Sequence, residues 1–279
     1  MRPRPRALLL GGAAAVLIGA VAGAVWLRSP SPPGPPPEAA ASAAAPPEPA
    51  APAATSESER CNALLRSDPD AARGFAAQWR SAQGGSAAEQ CEALAILALG
   101  DPAQAATRLE AIAARGAGDR PTKAALFAQA AQAWLLAGDA NRAYGATTLA
   151  LTLTPEDLEL LVDRAVALGT LGRYREALED LDRVLSLDPD RAEALVFRAA
   201  ALRQLDRPDM ARRDLDRALA IEPDHVEGLL ERGILRQLAG DEEGARRDWE
   251  RVVAIAPGSA AADLAAQNLA LSEAGPARR

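Results

Sequence analysis

The sequence is poor in aromatic residues. Phenylalanine, tryptophan and tyrosine make up 3% of its 279 residues although 49% are hydrophobic, so alanine and leucine supply most of the apolar surface. Alanine and leucine favour helices, whereas strands favour aromatic and β-branched side chains. The composition therefore predicts a helical protein.

Residue types that often carry catalysis are also scarce. The one histidine, His225, follows a Glu-Pro-Asp run and is typical of a solvated loop residue. The acidic and basic residues of segments 180–183 and 214–217 have the spacing of solvent-exposed helix faces. The sequence offers no nucleophile beside a base, no paired-carboxylate cleft, no metal-ligand cluster and no phosphate loop. We therefore predict that the chain is not an enzyme and needs no cofactor, metal or small-molecule substrate.

The charge balance is acidic, with a net charge of −7. Affinity for nucleic acids arises mainly from basic side chains that neutralise phosphates. The acidic balance therefore predicts no nucleic-acid partner.

A repeat of 34 residues runs from residue 124 to residue 259. Three positions recur in phase. Two of them hold small residues, which allow two helices to approach closely, and the third holds proline, which ends a helix. They are Ala131, Ala165, Ala199 and Gly233, then Ala143, Ala177, Ala211 and Ala245, and finally Pro155, Pro189, Pro223 and Pro257. The repeating unit is predicted to be two antiparallel helices and a turn.

This pattern resembles the tetratricopeptide repeat family, which has a small residue near position 8, alanine at 20 and proline at 32. The resemblance implies an all-α, right-handed solenoid with four repeats in residues 124–259, and we assign divergent helical repeats to 58–123 and a capping helix to 260–274. Ser86 and Glu89 have the spacing of a capping box and predict a helix start. Pro102 and Pro208 should each open a second helix.

The N-terminus predicts export. Residues 1–28 contain a charge-free run of 21 residues after three arginines, which is the pattern of a transmembrane anchor or of a cleaved signal peptide. Residues 29–57 are rich in proline and alanine and predict a disordered linker. The body is therefore expected in the bacterial periplasm, either tethered to the inner membrane by a single span or released after cleavage.

Cys61 and Cys91 are the only cysteines. Each is expected on the first helix of consecutive helix pairs, and in an oxidising compartment such a pair predicts a disulfide.

The resemblance also implies a concave groove lined by the first helices. The residues at the groove positions are Ala128, Gln132, Val162, Val166, Val196, Ala200, Leu230 and Ile234, with Arg203 nearby. Their aliphatic character favours an apolar or amphipathic peptide as ligand, unless these side chains simply pack between neighbouring first helices. Glu159, Glu193 and Glu227 recur along one edge, where they either select a basic partner or reflect the preference of helix starts for acidic residues.

These features together predict a non-enzymatic scaffold in the bacterial envelope that holds a segment of another protein. Two alternatives remain, an adaptor for protein maturation like those of cytochrome c biogenesis and a self-assembling structural envelope protein.

Overall fold

The computed structural model describes residues 56–116 and 118–274. Within these residues it contains thirteen α-helices and no strand, so the all-α prediction is confirmed. The helices are α1 (Glu57–Ser67), α2 (Pro69–Ser81), α3 (Gly85–Ala98), α4 (Pro102–Ala114), α5 (Arg120–Leu136), α6 (Ala140–Leu153), α7 (Leu158–Thr170), α8 (Tyr174–Leu187), α9 (Ala192–Gln204), α10 (Pro208–Ile221), α11 (Val226–Ala239), α12 (Glu242–Ile255) and α13 (Ala260–Ala274).

The helices form six consecutive pairs followed by α13, and each helix packs on the next along the chain. The first helices of neighbouring pairs also contact each other, as in α5 with α7, α7 with α9 and α9 with α11, whereas contacts between successive second helices are sparse. The array therefore curves towards its first helices, and we call α5, α7, α9 and α11 the inner layer.

Short turns between the two helices of a pair depend on a left-handed residue at the end of the first helix. Gly138, Gly172 and Gly240 have φ of 79°, 73° and 86°, which glycine adopts without strain. Asp206 fills the same place with φ of 58°, a conformation that aspartate tolerates better than most residues. Pro102 and Pro208 occupy the first turns of α4 and α10, as predicted from the sequence.

The predicted capping box at Ser86 and Glu89 is wrong, although a helix does start nearby, two residues earlier than a cap at Ser86 requires. Helix α3 begins at Gly85 after Gly84, with no side-chain cap, so Ser86 already lies inside the helix. Glu89 instead pairs with Arg115 at the end of α4. The capping box lies earlier, at Ser56, whose side chain and backbone exchange hydrogen bonds with Glu59 at 3.2 and 2.8 Å.

The predicted boundary at residues 123 and 124 falls inside a helix. The residues that break the repeat register extend α5 to 17 residues, while the helices of the later pairs have 13 or 14. The divergent segment therefore joins the regular repeats through a continuous helix. The predicted capping helix is present as α13, and its Ala261 and Ala265 are buried against the last pair.

Cys61 and Cys91 form a disulfide that joins α1 to α3, with 6.1 Å between their Cα atoms. Both cysteines are buried beside Ala76, and Phe75 and Trp79 pack against them. The disulfide therefore joins the first two helix pairs.

None of the helices in the described part of the chain is both long and apolar enough to span a bilayer. The predicted anchor at 1–28 lies outside the described residues, as does the predicted linker apart from its last two residues.

Candidate partner-binding surface

The aliphatic residues predicted to line the groove lie in the protein interior. The exposed fraction is 3% for Val162, 6% for Val166, 3% for Val196, 0% for Leu230 and 3% for Ile234. These side chains belong to the hydrophobic core because removing large aliphatic groups from water is favourable. The prediction of an aliphatic groove open to a ligand is therefore wrong, and the alternative, packing between neighbouring helices, is what the structure shows.

The remaining predicted groove residues are half-buried on the inner layer. Ala128 and Ala200 are small, and Ala200 borders a cleft between α7, α8 and α9 of about 20 Å³. Gly169 and Phe197, from neighbouring first helices, also line this cleft. A volume of this size accommodates about one water molecule and is far too small for a drug-sized ligand.

Three acidic side chains, Asp163, Glu159 and Glu193, lie close together on α7 and α9. Asp163 lies in the inner layer with 9% of its surface exposed, and Gln132 Nε2 donates a hydrogen bond of 3.4 Å to its Oδ2. Glu159 and Glu193 lie nearby and both contact Arg191, at 2.5 and 3.4 Å. Burial, reinforced by the negative charge of Glu193, raises the pKa of Asp163 to about 7.

Arg203 is engaged within the protein. Its guanidinium pairs with the carboxylate of Glu231, with Nη2 3.4 Å from Oε2 and a second bond from Nε to Oε1. Glu231 is 1% exposed, so the arginine neutralises an interior charge. Arg203 therefore acts first as a counter-ion between α9 and α11, a role that the sequence analysis did not predict.

The polar contacts of the inner layer continue towards the N-terminus. Gln90 Nε2 on α3 donates a hydrogen bond of 2.8 Å to Gln129 Oε1 on α5. With Gln132 and Asp163 on α5 and α7, these contacts make a polar row across three first helices. An extended segment that lay along this row would meet amide and carboxylate groups.

Three buried Arg–Asp pairs were missed by the sequence analysis. Each joins the two helices of one pair through two hydrogen bonds, and each recurs after 34 residues: Arg164 with Asp180 at 2.8 and 2.6 Å, Arg198 with Asp214 at 2.8 and 2.8 Å, and Arg232 with Asp248 at 2.9 and 2.7 Å. The hydrogen bonds that the three arginines donate to these carboxylates raise the pKa of all three arginines.

The prediction that segments 180–183 and 214–217 form solvated faces is therefore wrong for Asp180 and Asp214, which are 6% exposed. The signal that could have found them is the 34-residue recurrence of arginine together with aspartate. The expectation of a solvated face holds for Asp182, whose side chain is 62% exposed.

His225 is not a solvated loop residue either. It is half-buried at the start of α11, where its Nδ1 accepts a hydrogen bond of 3.3 Å from the Gly228 amide. This contact caps the helix, so the histidine has a structural role. The described residues contain no group of three or more histidine, cysteine, aspartate or glutamate side chains that could hold a metal ion.

The family model for the tetratricopeptide repeat matches residues 170–233, which extend from the end of α7 into α11. Residues 170–233 are therefore similar to the tetratricopeptide repeat. Among curated proteins, none is similar in sequence to this chain.

Solved structures agree with this assignment at the level of the fold. The chain resembles pilF of Pseudomonas aeruginosa with a TM-score of 0.58 and 15% identity, covering 77% of this chain and 96% of that one. It resembles a thermophilic TPR protein in Thermus thermophilus with a TM-score of 0.56 and 21% identity, covering 68% and 100%. It resembles YrrB, described as a TPR protein with an unusual peptide-binding site, with a TM-score of 0.51 and 19% identity, covering 62% and 88%.

Proposed function

We propose that this chain is a non-enzymatic scaffold in the bacterial envelope that holds a basic segment of another protein against its inner layer. Tetratricopeptide repeat proteins bind protein or peptide partners. The observation that carries the proposal is the acidic surface made by Glu159, Asp163 and Glu193 on neighbouring first helices.

The burial of the aliphatic positions decides which kind of partner fits. Val162 and Val196 are each 3% exposed, so an apolar side chain of a partner could not bury itself against them. Recognition must then depend on charge and hydrogen bonding, which supply specificity and accelerate encounter. A basic segment complements both the exposed carboxylate of Glu159 and the net charge of −7.

The proposal of an envelope location rests on the sequence of residues 1–28 and on the disulfide between Cys61 and Cys91. In the proposed arrangement this segment is a single span in the inner membrane, the linker is a spacer and the repeats lie in the periplasm. The disulfide between Cys61 and Cys91 supports this location because disulfides persist in oxidising compartments. Fractionation of cells and digestion of spheroplasts with protease test it, since a chain protected from external protease would contradict the proposal.

Site-specific crosslinking of the full chain in cells tests the binding surface. A photoreactive residue at Ala125, exposed on α5, should capture a discrete partner, whereas one at Leu149, exposed on α6, should not. Glu159→Lys should weaken capture at Ala125 because it reverses a charge on the inner layer. Glu179→Lys, the same change at an exposed position of α8, should leave capture unchanged.

Equal capture from both positions, or equal effects of the two lysine substitutions, would refute the inner-layer proposal. Capture of a second copy of this chain would instead indicate the self-assembling role considered from the sequence. Capture of an envelope protein that awaits cofactor attachment would indicate the maturation adaptor.

A further inference from the structure

Two acidic residues occupy the same place in different repeats but have different surroundings. Asp163 on α7 and Glu231 on α11 are 68 residues apart, which is two repeat lengths. Glu231 is neutralised by Arg203, which reaches it from the preceding first helix, α9. Two repeats earlier the residue in the place of Arg203 is Leu135 on α5. The acidic residue therefore recurs in both repeats, whereas the arginine that pairs with it does not.

The same pair of positions recurs where α7 packs against α9. There the residue in the place of Arg203 is Gly169 and the residue in the place of Glu231 is Phe197, and both line one cleft. Residues at this pair of positions therefore lie near each other in two places, between α9 and α11 and between α7 and α9. Leu135 packs against the core cluster that contains Val162 and Val166, at the seam between α5 and α7.

The charged groups around Asp163 do not replace the missing arginine. Asp157, Glu159 and Glu193 each raise its pKa, and the opposing contribution comes from the Gln132 amide of α5. Arg191 bonds to Glu159 and Glu193. A buried carboxylate is costly to ionise without a positive partner.

On the basis of the proposed function, we infer that Asp163, with Glu159 and Glu193 at its rim, is the subsite for an arginine side chain of the bound segment. The guanidinium of the partner would take the place against Asp163 that Arg203 takes against Glu231. Arginine suits this place better than lysine because its planar group donates two parallel hydrogen bonds to one carboxylate.

The subsite depends on pH because only the ionised Asp163 attracts a cation. With a pKa of about 7, roughly a tenth of the carboxyl groups are ionised at pH 6 and nearly all at pH 8.5. The apparent affinity scales with the competent fraction, so binding at pH 6 should be about tenfold weaker than at pH 8.5.

A minimal probe tests the subsite with the full chain. N-acetyl-arginine-N-methylamide is titrated by NMR at pH 8.5 and pH 6, beside the citrulline compound, which has nearly the same shape without the charge. We expect saturable binding of the arginine compound, about tenfold weaker at pH 6, and at least tenfold weaker binding of the citrulline compound. Asp163→Asn should remove the binding, whereas Asp182→Asn, at an exposed carboxylate, should not.

Leu135→Arg supplies the missing guanidinium from within the chain and gives a second readout. It should lower the pKa of Asp163 well below 7, as followed through the carboxyl carbon resonance, and it should compete with the probe. Leu149→Arg adds the same charge at an exposed position and should change neither property. If the carboxylate of Asp163 had only a structural role, Asp163→Asn would destabilise the protein. The subsite predicts that Asp163→Asn leaves stability at pH 8.5 equal or raises it, because an uncompensated charge is removed.

The inference is overturned if the arginine and citrulline compounds bind alike, if binding survives Asp163→Asn, or if Leu135→Arg leaves the pKa of Asp163 near 7. Its failure is separable from failure of the proposed function. Crosslinking from Ala125 that persists unchanged in Asp163→Asn would retain the scaffold and reject the subsite. Probe binding that depends on Asp163, in a chain that captures no partner, would retain the subsite and reject the scaffold.

Discussion

The two ends of the array are held together by different chemistry. The first two pairs, α1 to α4, are joined by the disulfide between Cys61 and Cys91, whereas the pairs from α7 to α12 each contain a buried Arg–Asp pair. The pair α5–α6 between them has Ala130 and Ala146 at the places of the arginine and the aspartate. The repeat backbone thus forms with or without these contacts, and they act as local additions to a shared packing scheme.

The difference matters for how each end responds to its surroundings. A disulfide acts largely on the unfolded chain by restricting its conformations, so its effect depends on redox conditions. An Arg–Asp pair acts in the folded state and depends on charge. Because repeats contact only their neighbours, a change at one end should leave the other end nearly intact.

Removal of the disulfide should have the largest effect. Reduction opens a loop with a sequence separation of 30, for which the chain-entropy model gives about 3–4 kcal/mol. Hydrogen exchange should show faster opening of α1 to α4 with little change in α9 to α12. Cys61→Ala/Cys91→Ala should behave in the same way without reductant. Uniformly faster exchange along the whole chain would contradict the expectation that the disulfide stabilises only the helices near it.

Disruption of a buried Arg–Asp pair should have the next largest effect on stability. Asp248 accepts hydrogen bonds from both Arg232 and Arg236, at distances of 2.7–2.9 Å. Asp248→Ala leaves two neighbouring guanidinium groups without their carboxylate and should cost about 3 kcal/mol in the free energy of unfolding. Asp182→Ala removes an exposed partner of Arg198 and should cost less than about 1 kcal/mol. Urea unfolding measures both, and similar values would contradict the distinction between buried and exposed pairs.

A close contact in the last pair should have an intermediate effect. Gly233 takes the place of the alanines Ala165 and Ala199 because a Cβ atom there would lie 2.3 Å from Nε1 of Trp249. Trp249 is fully buried, so it has little room to move. Gly233→Ala should therefore cost about 2 kcal/mol by overpacking. Adding Trp249→Leu restores the leucine that stands at this place in the two preceding pairs. The double variant should recover most of the lost stability, as measured by thermal unfolding.

The periodic features of the fold could be predicted from the sequence. Prolines and small residues recur with the period of the helix pair, so the division of residues 124–259 into helix pairs followed from the sequence. Ser86 misled the prediction of a cap because capping depends on which residue stands at the helix boundary, and α3 already begins at Gly85.

The binding surface was harder to predict because exposure is a tertiary property. Val162 and Val196 stand at positions that would face a ligand in a wider groove, but adjacent first helices lie close enough to enclose them. The partners of Arg203 and Asp163 lie on other helices, so their roles depend on contacts that no local pattern contains. The acidic edge was visible from Glu159 and Glu193, whereas its centre at Asp163 was not.

The smallest effect should come from replacing an Arg–Asp pair as a unit. In the pair α5–α6, Ala130 and Ala146 show that the repeat packs without charge at these places, and both are buried. Arg164→Met/Asp180→Leu should therefore change the free energy of unfolding by less than about 1 kcal/mol, since apolar side chains can replace a buried ion pair with little loss. Asp180→Leu alone should cost considerably more because Arg164 keeps its charge and loses its carboxylate. A double variant as unstable as the single one in urea unfolding would show that the later pairs require their charges, and the middle pair could no longer serve as their model.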